Sequence, residues 1–168
     1  MKYFPKLSAV CDIASHLFLS AVVSRGPSWD SDEFRRTVLE AYRQQPFEHL
    51  VADAAYDMER CHGVVREKLG AKTTIRLRKR PRPGRGRRGE CRQEMEEAFD
   101  KAAYGQRWQI ESAFSRCKKR LGPALKARNV WAQLREIQLR VLTHNLMILL
   151  PHNHLLNSAE RTRFVRSG

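Results

Sequence analysis

An α/β fold with a mixed sheet is predicted by three features of this chain: the order of its elements, its glycine and proline punctuation, and its length. Apolar runs of strand-forming residues and runs of helical period follow one another as strand, strand, helix, strand, helix, strand and then helices alone. That order builds a sheet flanked by helices. A chain of 168 residues suits one domain with a real hydrophobic core. With 42% hydrophobic and 30% charged residues, the composition is that of a globular protein rather than a disordered one. No internal repeat is present.

Each element has a local cause. Leu7 to Cys11 and Leu17 to Val23 are apolar runs separated by a turn from Asp12 to His16, which predicts a hairpin. Gly26 and Pro27 end the second strand. Ser31 is the expected N-cap of a helix with Asp32 and Glu33 in its first turn. Phe34, Val38, Leu39 and Tyr42 then recur at helical spacing, and Pro46 stops that helix. Leu50, Val51 and Ala52 predict a short buried strand that delivers Asp53 at its carboxyl end. A second helix is expected over Met58 to Leu69, closed by Gly70, with Asp57 as an N-cap candidate. Thr73 to Leu77 reads as another strand. Helices are expected over Gln93 to Lys101, over Tyr104 to Leu121 with a stop at Gly122-Pro123, and over Val130 to Leu149 with a stop at Pro151. Leu134, Ile137, Val141 and Ile148 give the last of these a core-facing side.

Charge narrows the partners. Lys and Arg total 32 against 18 Asp and Glu, a net charge of +14. The isoelectric point is about 10.3, and such an excess attracts polyanions, nucleic acid first among them. Much of it lies in one segment, about 78–92 with its approach, that carries Arg76, Arg78, Lys79, Arg80, Arg82, Arg85, Arg87, Arg88 and Arg92. Pro81, Pro83, Gly84, Gly86 and Gly89 disfavour regular structure there. A flexible basic loop of this kind suits the phosphate backbone rather than base edges. A solvated linker without a partner is the alternative.

Other chemistries find little support. Cys11, Cys61, Cys91 and Cys117 contain no Cys-x-x-Cys pair, and His144, His152 and His154 have no cysteine nearby, so a zinc site is not expected. Neither a His-Glu-x-x-His sequence nor a nucleophile elbow is present. The apolar run Leu146 to Leu150 is too short to span a membrane, and the start from Met1 to Ser8 does not read as a signal peptide. Scattered cysteines without a secretory signal predict a reducing, cytoplasmic setting.

The helix from Tyr104 carries the chemistry. Relative to Tyr104, ideal helical geometry places Arg107 at roughly 300°, Glu111 at roughly 340° and Lys118 at roughly 320°. One narrow stripe thus presents all four, beside an apolar arc of Ile110, Ala113, Phe114, Cys117 and Leu121. Periodicity alone favours an ordinary solvated stripe with one Arg107–Glu111 pair. The pattern of Tyr104, Arg107, Glu111 and Lys118 nevertheless resembles the signature of the insertion-sequence-four-like group of DDE transposases. Phe99-Asp100, then Tyr104 to Glu111, then Lys118 to Gly122 are similar to that family, as is Leu142 to Leu149. Ala52-Asp53-Ala54-Ala55-Tyr56-Asp57 resembles its second-aspartate motif, and Tyr3-Phe4-Pro5-Lys6-Leu7 resembles its second strand.

The resemblance implies a ribonuclease-H-like mixed sheet with flanking helices. It further implies three carboxylates holding two divalent metals, Mg2+ or Mn2+, with double-stranded DNA at transposon ends as substrate. Asp53 matches the second aspartate and Glu111 the glutamate. Tyr104, Arg107 and Lys118 would support the site, with the two cations meeting DNA phosphate. Carboxylates are the hard ligands magnesium prefers, and a metal pair would activate the attacking oxygen and stabilise the leaving one. Two departures stand out. Ala55 occupies a position where the family commonly has glycine. The strand bearing the first aspartate has no counterpart ahead of Met1, so the expectation is a truncated catalytic domain, inactive as it stands. Asp12 aligns with a strand end and fits a turn role better than that of a substitute ligand. A non-catalytic basic nucleic-acid-binding protein is the alternative from another class, and a remnant that no longer folds stably is a third reading. The oligomeric state stays open, self-association included.

Overall fold

The computed structural model describes residues 4–27, 29–78 and 89–164. The expected hairpin is present. Strand β1, Phe4–Cys11, pairs antiparallel with β2, Phe18–Gly26, with Phe4 opposite Gly26 and a register shift between Val10 and Cys11. Asp12 closes the connecting turn, because its carboxylate accepts from the Ser15 amide at 2.7 Å and from the Ser15 hydroxyl. Burial raises the Asp12 pKa, but the two Ser15 bonds, the Ala14 amide and the nearby His16 together hold the carboxyl below its ordinary value. Its turn role is thereby accounted for by local hydrogen bonds.

Helix α1, Asp30–Gln44, packs on the hairpin. It begins two residues earlier than expected: Trp29 holds the N-cap position, and the Ser31 hydroxyl instead accepts from Arg60 Nη2 at 2.8 Å. Strand β3, His49–Ala52, runs parallel to β4, Lys72–Ile75, and helix α2, Glu59–Leu69, lies between them in the chain. Gly70 ends α2 at φ 67°, a left-handed position that favours glycine. Thr73, Thr74 and Ile75 are buried, but strand pairing stops two residues short of the expected Leu77.

The remaining helices are α3, Glu90–Glu97, α4, Lys101–Gly105, α5, Trp108–Leu121, and α6, Val130–Phe164. Three expectations need correction here. Glu90, Cys91 and Arg92 are helical rather than part of a loop, because the Glu59 carboxylate accepts from the Cys91 and Arg92 amides and serves the start of α3. The single helix from Tyr104 is two helices. Around Gly105 the amides of Gln106, Arg107, Gln109 and Ile110 bond three residues back, a tighter winding that breaks the α ladder. Pro151 does not stop the last helix: α6 continues to Phe164. A proline costs a helix one hydrogen bond and crowds the preceding turn, which need not end it.

The largest difference concerns the sheet. One mixed sheet is expected, but among the described residues the four strands form two separate two-stranded sheets, β1–β2 and β3–β4. Strand β1 is covered on both faces. Val10 packs against the core of Phe34, Val38, Leu50, Cys61, Val65, Ala71 and Ile75. Leu7, Ala9 and Cys11 pack against a second core of Phe18, Ala113 and Val141. The alternation of a strand distributes its residues between the two cores. Helix α6 fixes the start of β2: Asn145 accepts from the Phe18 amide at 3.0 Å and donates to the Phe18 carbonyl at 2.9 Å. His144 donates from Nε2 to the His16 carbonyl at 3.2 Å.

Candidate active site

Strand β3 ends at Ala52, and Asp53 follows as the cap of a single 3-10 turn, Ala54–Tyr56. The Asp53 carboxylate accepts from the Ala55 amide at 2.7 Å, so the turn aims the side chain. Arg78 fastens the same turn, its guanidinium donating to the Ala54 carbonyl at 2.6 Å and to the Ala55 carbonyl at 2.7 Å. Asp57 holds Arg78 in turn by accepting from its amide at 2.9 Å.

Asp57 is neither an N-cap nor placed as a ligand. Met58 caps α2, and the fully buried Asp57 carboxylate accepts from Arg92 Nε at 2.7 Å and from Arg92 Nη2 at 3.2 Å. Together Asp57 and Glu59 tie the residues on both sides of the basic segment, Arg78 and 91–92, to the element that presents Asp53. Single acids near helix starts suggest caps, and only the packing shows which arginines meet them.

Glu111 lies in the first turn of α5 and lines one cavity of about 390 Å³ with Asp53 and Arg107. Arg107 Nη2 donates to Glu111 Oε1 at 2.6 Å. Burial disfavours the Arg107 charge, yet the Glu111 bond and the neighbouring Tyr104, Glu111 and Asp53 raise its pKa on balance. The guanidinium carbon of Arg107 stands 5.8 Å from the Tyr104 ring centre, and that of Arg76 stands 6.0 Å from it. Tyr104 is therefore a platform for two cations, and Phe99 supports its ring at 5.2 Å. The tight winding between α4 and α5 helps, because residues three apart eclipse in a 3-10 turn. Lys118 faces a shallower groove that also contains Glu111, Phe114 and Lys119.

The structure thus brings Asp12, Asp53, Arg107 and Glu111 to one cavity, sets Tyr104 and Arg76 beside Arg107, and places Lys118 in the adjoining groove. Lys79, Arg80, Arg82, Arg85, Arg87 and Arg88 lie outside the described residues. Asp53 and Glu111 are hard oxygen donors of the type a divalent cation takes. Among the described residues, however, no three His, Cys, Asp or Glu side chains come together as a metal-holding group. The donor type fits a cation, while the donor number falls short of a two-metal centre. The Arg107–Glu111 pair is an exposed one, with side-chain exposures of 30% and 60%. Such a pair contributes only about 0.3–0.5 kcal/mol, so Glu111 can leave Arg107 for another cation at little cost.

No helix among the described residues is long and apolar enough to cross a membrane. No curated protein and no solved structure matches the chain. The family model for the transposase DDE domain matches residues 2–146.

Proposed function

Because the chain belongs to the family of transposase DDE domains, we propose that it is the catalytic-domain portion of an insertion-sequence-four-like transposase acting on double-stranded DNA at transposon ends. The observation that carries this reading is the convergence of Asp53 and Glu111 on one cavity across Arg107. Transposases of this family generally use divalent metals and bind DNA. In this reading Asp53 and Glu111 are two of the metal-holding carboxylates of a ribonuclease-H-like site, and Mg2+ or Mn2+ would supply activation of the attacking oxygen.

The chain's own residues have simpler tasks. Arg107 and Lys118 place a phosphate beside the two carboxylates, and Tyr104 fixes the direction of Arg107 through its ring face. Arg76, on the other cation position of Tyr104, extends the phosphate track toward the segment of Arg78, Lys79, Arg80, Arg82, Arg85, Arg87 and Arg88. Asp12 lines the same cavity, but its carboxylate is engaged by Ser15; with Asp53 and Glu111 as the remaining donors, the chain alone is expected to transfer no DNA strand. The second reading is a non-catalytic basic nucleic-acid-binding protein, which the net charge of +14 supports.

Metal dependence separates the two readings. Affinity for a duplex carrying the element's terminal sequence is measured with and without Mn2+, for the parent chain and for Asp53→Asn with Glu111→Gln. The transposase reading predicts tighter binding with Mn2+, because a cation held by the carboxylates also meets phosphate. It predicts loss of that gain in the double variant. Binding indifferent to Mn2+ in both proteins would favour the non-catalytic reading. Robust strand transfer by the chain alone, abolished by Asp12→Ala, would overturn the assignment and make Asp12 a ligand.

A further inference from the structure

We propose that the loop between α5 and α6, together with Trp131 at the start of α6, is a platform for an unpaired strand of DNA. Charge selects the class of partner. From Lys118 to Arg135 the chain carries Lys118, Lys119, Arg120, Lys126, Arg128 and Arg135, and no Asp or Glu. All six cations are exposed. The next acid along the chain, Glu136, is committed to the loop itself. Its carboxylate accepts from the Lys126 and Ala127 amides, each at 2.9 Å, and pairs with Arg140. The surface is therefore complementary to a polyanion.

The loop is held rather than slack. Arg140 donates to the Gly122 and Ala124 carbonyls, and Gln133 donates to the Ala127 carbonyl at 3.0 Å. Asn129 caps α6 by accepting from the Ala132 amide at 2.8 Å. Side chains of α6 thus fix the backbone that carries Lys126 and Arg128, so less ordering remains to be done when a ligand binds. Trp131 selects the form of nucleic acid. It is 75% exposed, with Arg128 three residues before it and Arg135 four residues after it. Arg135 shares its helix face and separates it from the exposed Leu139 and Leu142, so Trp131 is not continuous with that apolar stripe. Duplex bases stack on one another and leave such a ring no partner. An unpaired base offers its face, and its neighbouring phosphates meet the flanking cations. A groove leads to the loop from the candidate active site, lined by Glu111, Lys118, Lys119 and Pro123. The proposal rests on the nucleic-acid reading, catalytic or not, and adds to it the strand form and the residues that hold it.

The test is fluorescence anisotropy of the full chain with a labelled oligothymidine of about twelve nucleotides, within the usual footprint of such sites. A duplex of the same length is the comparison. Trp131→Ala should weaken single-strand binding about tenfold, the loss expected of one stacked base, and leave duplex affinity unchanged. Trp131→Phe should keep most of the affinity, since a phenyl ring still stacks. Trp29→Ala removes another exposed ring, 71% exposed, and should change nothing. Arg128→Ala with Arg135→Ala should lower the slope of log single-strand affinity against log salt by up to about 1.4. Equal losses on single strand and duplex, or no loss from Trp131→Ala on either, would overturn the proposal. So would a Trp131→Ala protein with unchanged DNA affinity that sediments as a monomer where the parent is a dimer, which would put a second copy of the chain on this face. If the parent binds duplex while Trp131→Ala changes nothing, this proposal falls and the nucleic-acid reading stands. Binding to neither form by the parent would sink both.

Discussion

Replacing Asp57 with alanine should destabilise the fold by about 3 kcal/mol and loosen the residue that presents Asp53. The Asp57 side chain is 0% exposed and takes Arg92 Nε at 2.7 Å, Arg92 Nη2 at 3.2 Å and the Arg78 amide at 2.9 Å. Removing one partner of a buried pair costs roughly 3–5 kcal/mol, since the other charge is left uncompensated. Arg92 keeps 23% of its side chain in contact with solvent and can recover part of its hydration, which favours the lower end. For a domain of this size each kcal/mol moves the melting temperature by about 2–4 °C, so a fall of about 6–12 °C is expected. Urea and thermal unfolding of the parent, Asp57→Ala, Arg92→Ala and the double variant measure the loss and the coupling. A cooperative transition in the parent also disposes of the reading that the chain is an unfolding remnant. A loss below about 1 kcal/mol for Asp57→Ala, or additive single losses, would refute the claim that this pair clamps the site.

Two further outcomes are expected. Stability should fall as pH drops below the ordinary histidine value of 6.5. Burial, followed by Arg66, depresses the pKa of His62; burial, followed by Arg116 and Arg120 despite the His16 carbonyl, depresses that of His144. Both rings therefore stay neutral when the unfolded chain takes up protons, so their contribution is full above that value and lost as pH falls. Urea midpoints from pH 7.5 to 5.5 check this, and a flat or rising series would contradict it. For DNA, Arg85→Ala with Arg87→Ala and Arg88→Ala should flatten the slope of log affinity against log salt by up to about 2.7, if all three meet phosphate. An unchanged slope in fluorescence anisotropy would show that this segment is not the contact surface.

Most elements were legible because their causes are local. Phe34 and Val38 announce α1 by spacing, Gly70 announces the end of α2 by its φ of 67°, and the apolar run before Asp53 announces β3. The grouping of Tyr104, Arg107 and Glu111 was legible too, although through a tight turn between two helices rather than a straight helix. What escaped depends on residues far apart in sequence. The Ser31 hydroxyl went to Arg60 rather than to its own helix, and Asp57 went to Arg78 and Arg92. No local pattern decides such competition, because each acid or hydroxyl takes the donor that packing brings nearest. The split of the sheet was equally nonlocal, since strand pattern fixes which residues extend and not which edges meet.

The central claim is that Asp53 and Glu111 act on one divalent cation, and calorimetric titration with Mn2+ tests it most directly. The parent chain should bind weakly, since two carboxylates leave most of the coordination to water. Its melting temperature should rise with the metal, because a ligand held only by the folded state stabilises it. Asp53→Ala with Glu111→Ala should lose both the heat and the thermal shift. Identical heats from the parent and the double variant would contradict the account.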